Sequence, residues 1–94
     1  MRVRWSDPAL DDLEYAQAWI AHDRPLAAGD QVRKILDAAK RLRDFPNLGR
    51  PGRSGRTREL VVPGGPFIVA YRLRGDVIEI LRVFHGSRRW PESL

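Results

Sequence analysis

Val3 and Trp5 alternate with Arg2 and Arg4 in "RVRW", and this period of two predicts a short first strand. "SDP" stops it, with Asp7 placed to cap a helix and Pro8 at the first helical position. Leu10, Leu13, Ala16 and Ile20 then trace an apolar stripe that predicts a helix to about residue 22. Asp11, Asp12 and Glu14 fall in its early turns, where negative charge suits the helix dipole. Tyr15 and Trp19 lie four apart on another side, either completing the core or forming a shelf for a partner. After "HDRP", Ala28, Val32, Ile35, Ala39 and Leu42 recur at helical spacing with Leu36 beside them, predicting a second helix from Pro25 that Pro46 ends. A connection this short makes the pair an antiparallel helical hairpin.

The period changes again after residue 56. "NLGRPGRSGR" has no periodicity and reads as a loop. "TRELVV", "FIVAYRL" and "VIEILRVF" are rich in β-branched and aromatic residues, separated by "PGGP" and "RGD" as hairpin turns. The expected fold class is α+β, in the order β-α-α-β-β-β. A helical hairpin should pack on one face of a small, mainly antiparallel twisted sheet, as a single domain over residues 1–94. Alternation groups Arg58 with Leu60 and Val62, Arg72 with Ile68 and Ala70, and Arg82 with Ile78, Ile80 and Phe84. It does not fix which set faces outward.

Composition narrows the classes. There are no cysteines, so neither a disulfide framework nor thiolate chemistry is available. The opening segment reads as no signal peptide and no apolar run approaches a membrane span, so a cytoplasmic protein is expected. Charge is uneven. Residues 49–94 carry nine arginines against four acids, which accounts for the whole formal charge of +5. Arginine forks bind carboxylate and phosphate bidentately, so either a solvated basic face or an acidic protein or nucleic-acid partner follows.

His22 and His85 are far apart and fit no metal-ligand spacing, so no metal is expected, and no motif calls for a cofactor. No serine sits in a nucleophile elbow and no phosphate loop occurs. What remains is "FHGSRRWP" at 84–91. Metal-free RNA cleavage needs a base, a cation for the phosphate and an acid. His85 could act as base or acid, with Arg58, Arg72 or Arg82 on the phosphate and Trp90 stacking a base. The alternatives are a contact surface built from Arg58, Arg72, Arg82, His85, Arg88, Arg89 and Trp90, or a structural strand end.

The chain resembles the RelE/ParE superfamily of bacterial type II toxins. The resemblance rests on "SDPALDDLEYAQAWI", "FPNLGR", "RELVVPGGPFIVAYR" and "IEILRVFHG" in this order. It implies a toxin neutralised by a cognate antitoxin through an acidic or amphipathic segment, with Tyr15, Trp19, Arg50 and Arg53 as antitoxin contacts. RelE-like members cut mRNA in the ribosome, whereas ParE-like members poison DNA gyrase and are not nucleases. RelE-type sites use lysines near the second strand, and this chain has none after Lys40. They also use an arginine early in the third strand, where Ile68 stands here, and a tyrosine near the C-terminus, where the last tyrosine is Tyr71. "REL" and "AYR" are similar to the ParE-like branch. Inhibition of gyrase is therefore the expected function, with a ribosome-dependent endonuclease as the alternative and a basic nucleic-acid-binding module third.

Overall fold

Strand β1 (Arg2–Trp5) hands directly to helix α1 (Asp7–Asp23) through Ser6. The structure, a computed structural model, describes residues 1–53 and 55–87. Ser6, not Asp7, is the cap: its hydroxyl oxygen accepts from the Ala9 amide at 3.1 Å, and its hydroxyl donates to Leu81 O at 2.9 Å. Asp7 is the first helical residue, where its charge still suits the dipole. The buried stripe of α1 is Ala9, Leu13, Ala16 and Ile20, while Leu10 is 47% exposed. The expected stripe was therefore one residue off at its start, because a small alanine lets the helix approach the sheet closely there.

Arg24 alone joins α1 to α2 (Pro25–Arg41), and the two helices pack against each other. Ala28, Ile35, Ala39 and Leu42 are buried as their spacing predicts, and Leu36 is turned outward. Four further strands follow: β2 (Arg50–Pro51), β3 (Thr57–Val61), β4 (Phe67–Arg74) and β5 (Val77–His85). The two-residue β2 lies inside the segment expected to be pure loop. Arg50 pairs with Glu59 and Pro51 with Arg58.

The sheet order is β1-β5-β4-β3-β2. β1 runs parallel to β5, and the other pairings are antiparallel. Phe67, Val69 and Tyr71 on β4, Leu60 on β3, and Ile78, Ile80 and Val83 on β5 join Ile35, Ala39 and Leu42 in the core beneath the helices. Along β5 the buried positions jump from Ile80 to Val83 because a bulge interrupts the ladder between Ala70 and Tyr71. This moves Arg82 onto Ala70 and off the face of Ile78 and Ile80, which corrects the grouping taken from simple alternation. No described helix is long and apolar enough to cross a membrane.

Candidate functional site

Cross-strand partners share a sheet face. Arg58 pairs with Tyr71 and His85 with Phe67, so both belong to the helix-covered side. Arg72 belongs to the opposite side with Ile68 and Ala70, while Arg82, beside the bulge, reaches Asp12 on α1. The four residues considered for RNA cleavage are thus divided between two faces, with Arg58 and His85 four positions apart along β4. Arg88, Arg89 and Trp90 lie outside the described residues.

Each arginine has defined work. Arg58 donates from Nη1 to Gly49 O at 2.7 Å. Arg72 donates from Nε to Glu79 Oε1 at 2.8 Å, and Arg74 reaches the same oxygen at 3.4 Å. These cations hold the Glu79 carboxyl below its ordinary range, the hydrogen bond from Arg72 foremost. Arg82 grips Asp12 with a fork, Nε to Oδ2 at 2.7 Å and Nη2 to Oδ1 at 2.9 Å. Asp12 Oδ2 also accepts from the Val83 amide at 2.9 Å. That hydrogen bond to Asp12, ahead of the opposing effect of burial, raises the Arg82 pKa further. Asp12 therefore does more than complement a helix dipole. With Ser6 it satisfies the margin of β5 beyond the end of β1.

Arg50 and Arg53 converge on Glu59, which is only 2% exposed on the face away from the helices. Arg50 Nη2 lies 3.3 Å from Oε1, while the Arg53 amide donates to Oε2 at 3.2 Å. Glu59 thus ties the arginine-rich segment to the sheet. Sequence reasoning named the arginines and missed all three of their carboxylates. The register signal existed for Glu79, which sits opposite Arg72 across the "RGD" turn, whereas Asp12 is 70 residues from Arg82.

His85 sits edge-on to Trp19 and Phe67, with ring centroids 6.1 and 5.8 Å away. Its Nδ1 accepts from the Ser87 amide at 3.2 Å and lies 2.7 Å from Ser87 Oγ. That assigns the ring proton of a neutral His85 to Nε2. Trp19 is 46% exposed and Tyr15 61%, so both form a shelf on α1 rather than core. Beside Trp19 a cavity of about 260 Å³ opens between Ile20, Ala27 and Phe67, with Arg24 and Gln31 at its wall. Gln31 Oε1 is buried there without a hydrogen-bond partner among the described residues. No sequence signal marked Gln31. The described residues contain no cluster of three or more metal-ligating acids, histidines or cysteines.

Comparison with known proteins follows the same geometry. The family model described as "ParE toxin of type II toxin-antitoxin system, parDE" matches residues 3–90. The chain is 44% identical over 93 residues to the protein Y4kP of Sinorhizobium fredii, spanning 99% of this chain and 96% of that one. It is 30% identical over 87 residues to toxin RelE2 of Caulobacter vibrioides, spanning 93% and 97%. Among solved structures, a chain of the chromosomal ParDE toxin-antitoxin system from P. aeruginosa superposes with a TM-score of 0.83 at 27% identity, covering 90% of this chain and 95% of that one. The chain belongs to the RelE/ParE superfamily and is the toxin of a type II toxin-antitoxin system.

Proposed function

We propose that this toxin acts as a ParE-like inhibitor of DNA gyrase, a binding protein rather than an enzyme, and that a cognate antitoxin holds it inactive. The observation that carries this reading is the division of the candidate catalytic groups. Metal-free phosphodiester cleavage needs a base, an acid and phosphate-binding cations around one reacting phosphate. Here Arg72 lies across the sheet from His85, and Arg72 and Arg82 are both committed to carboxylates. The absence of any lysine after Lys40 points the same way. The likeness to the ParDE chain supports the ParE-like branch. Target contacts are assigned to His85, Arg72 and Arg82. Antitoxin contacts are assigned to the Tyr15–Trp19 shelf and to Arg50 and Arg53.

The deciding assay is supercoiling by purified gyrase. Saturating toxin should abolish supercoiling, and full gyrase activity would refute the reading. In cells, thymidine incorporation should fall before methionine incorporation after induction without antitoxin. One observation favours ribosome-dependent mRNA cleavage: His85 keeps its Nε2 clear of the Ser87 contacts. The name of RelE2 leans the same way. On that second reading, His85→Ala abolishes toxicity while antitoxin binding survives.

A further inference from the structure

β5 ends in a turn that folds a serine back onto the ring of the strand's last residue. The Ser87 amide donates to His85 Nδ1 at 3.2 Å, and Ser87 Oγ stands 2.7 Å from the same nitrogen. An amide N–H can only donate, so Nδ1 presents its lone pair and the Ser87 hydroxyl donates to it as well. A hydroxyl donating to a neutral imidazole at this distance is the arrangement that makes a serine nucleophilic. His85 is half-buried and Ser87 exposed, so the base is held while the oxygen stays within reach of a reactant. The His85 ring meets those of Trp19 and Phe67 at centroid distances of 6.1 and 5.8 Å, and the Gly86 amide donates to Pro66 O at 2.7 Å. Trp19, Pro66 and Phe67 are also walls of the cavity of about 260 Å³, together with Ile20 and Ala27. Three contacts therefore set the 85–87 turn at the rim of that cavity. Apart from Arg24 and Gln31 its lining is apolar.

We propose that Ser87 is an acyl-acceptor site: with His85 as base it takes the acyl group of an activated ester whose aliphatic chain lies in the cavity between Trp19 and Phe67. In the step, Ser87 Oγ attacks the carbonyl carbon of the ester while its proton passes to His85 Nδ1. The tetrahedral adduct then collapses by breaking the bond to the alcohol oxygen, which leaves with that proton. The products are an O-acylserine and a free alcohol, and nothing is oxidised or reduced. Size and polarity select the donor. At about 260 Å³ the cavity lies below the ~300–1,000 Å³ of ordinary ligand pockets, so it takes a short chain and not a nucleotide. Its apolar walls favour a hydrocarbon over a charged group, which would lose its water there. This chemistry is independent of gyrase inhibition and adds a covalent modification site to the toxin.

The test exposes purified full-length toxin to p-nitrophenyl hexanoate and to p-nitrophenyl acetate, following release of p-nitrophenol and locating the adduct by peptide mass spectrometry. Release should show a burst of about one equivalent per chain, with the hexanoyl group on Ser87. Hexanoate should react about ten-fold faster than acetate or more, because its further methylenes are buried in the cavity. His85→Phe keeps a ring against Trp19 and Phe67 but removes the base, and should slow acylation about 100-fold or more. Ser87→Ala should abolish the burst, and Ala27→Phe, which fills the cavity, should bring the hexanoate rate down to that of acetate. Should His85→Phe fail to fold, Ser87→Ala, at an exposed position, carries the test. Adducts confined to lysines or to His85 itself overturn the proposal. So does a Ser87→Ala variant labelled as fast as wild type, or an equal rate for the two esters. Each of these results leaves gyrase inhibition to be decided by its own assay.

Discussion

The hydroxyl of Tyr71 donates to Pro46 O at 2.8 Å and accepts from the Gly49 amide at 2.9 Å, so one buried phenol closes the path from α2 to β2. Gly49 is required there: a Cβ would lie 2.8 Å from the Tyr71 ring and 2.9 Å from Glu59 O. Tyr71→Phe leaves both backbone groups without their partner and should cost about 1–3 kcal/mol in a urea melt. "FPNLGR" and "AYR" were both legible as motifs, but only the fold shows that one fastens the other. Asp12 makes the same point more sharply. In sequence it is one of three early acids on a helix, and nothing local separates it from Asp11. In the structure it accepts three hydrogen bonds from β5. Asp12→Ala should therefore destabilise by about 1.5–3 kcal/mol, whereas Asp11→Ala, at an exposed position, should stay within ~0.5 kcal/mol.

At the scale of elements, legibility followed periodicity. The second helix carried the cleanest stripe, of which Ala28, Ile35, Ala39 and Leu42 are buried and Val32 only partly so, and Ile35→Ala, at a fully buried position, should cost about 2–5 kcal/mol. The first helix was read one residue off because its closest contact uses Ala9, which weighs little in any hydrophobic pattern. Alternation placed Arg58 and Arg72 with their correct neighbours and failed for Arg82, since a bulge shifts phase without leaving a mark in composition. β2 was not legible at all, because two residues of Arg-Pro have no period. Ser6 stitches elements together by capping α1 and donating to Leu81. Ser6→Ala should lose about 1–2 kcal/mol by thermal or denaturant unfolding, the cap and the strand contact together.

Across the whole molecule, opposing charge is distributed so that three acids, Asp12, Glu59 and Glu79, hold five arginines, four on the sheet and Arg53 just beyond β2. The basic excess of the second half was plain from sequence, but its partial neutralisation depends on contacts that only folding makes. Two titrations bound the stability profile. Burial raises the Tyr71 pKa above its ordinary 10.0, so this group's contribution is complete below that pH and lost as pH climbs through the raised value. The Arg72 contact lowers the Glu79 pKa below its ordinary 4.5, so its contribution is complete above that pH and lost as pH falls through the lowered value. Denaturant melts across pH should show Glu79→Gln flattening the acid limb and Tyr71→Phe the alkaline limb. The position of β5 has one more consequence. It is the last of the five strands to be synthesised, yet it lies between the first and the fourth. A nascent chain lacking it leaves β1 with no neighbour and β4 half paired, so the sheet cannot close until synthesis has passed His85. The middle of the sheet is therefore the last part of it to be supplied, and the first and third-to-fourth strands are joined into one sheet only by the strand made last.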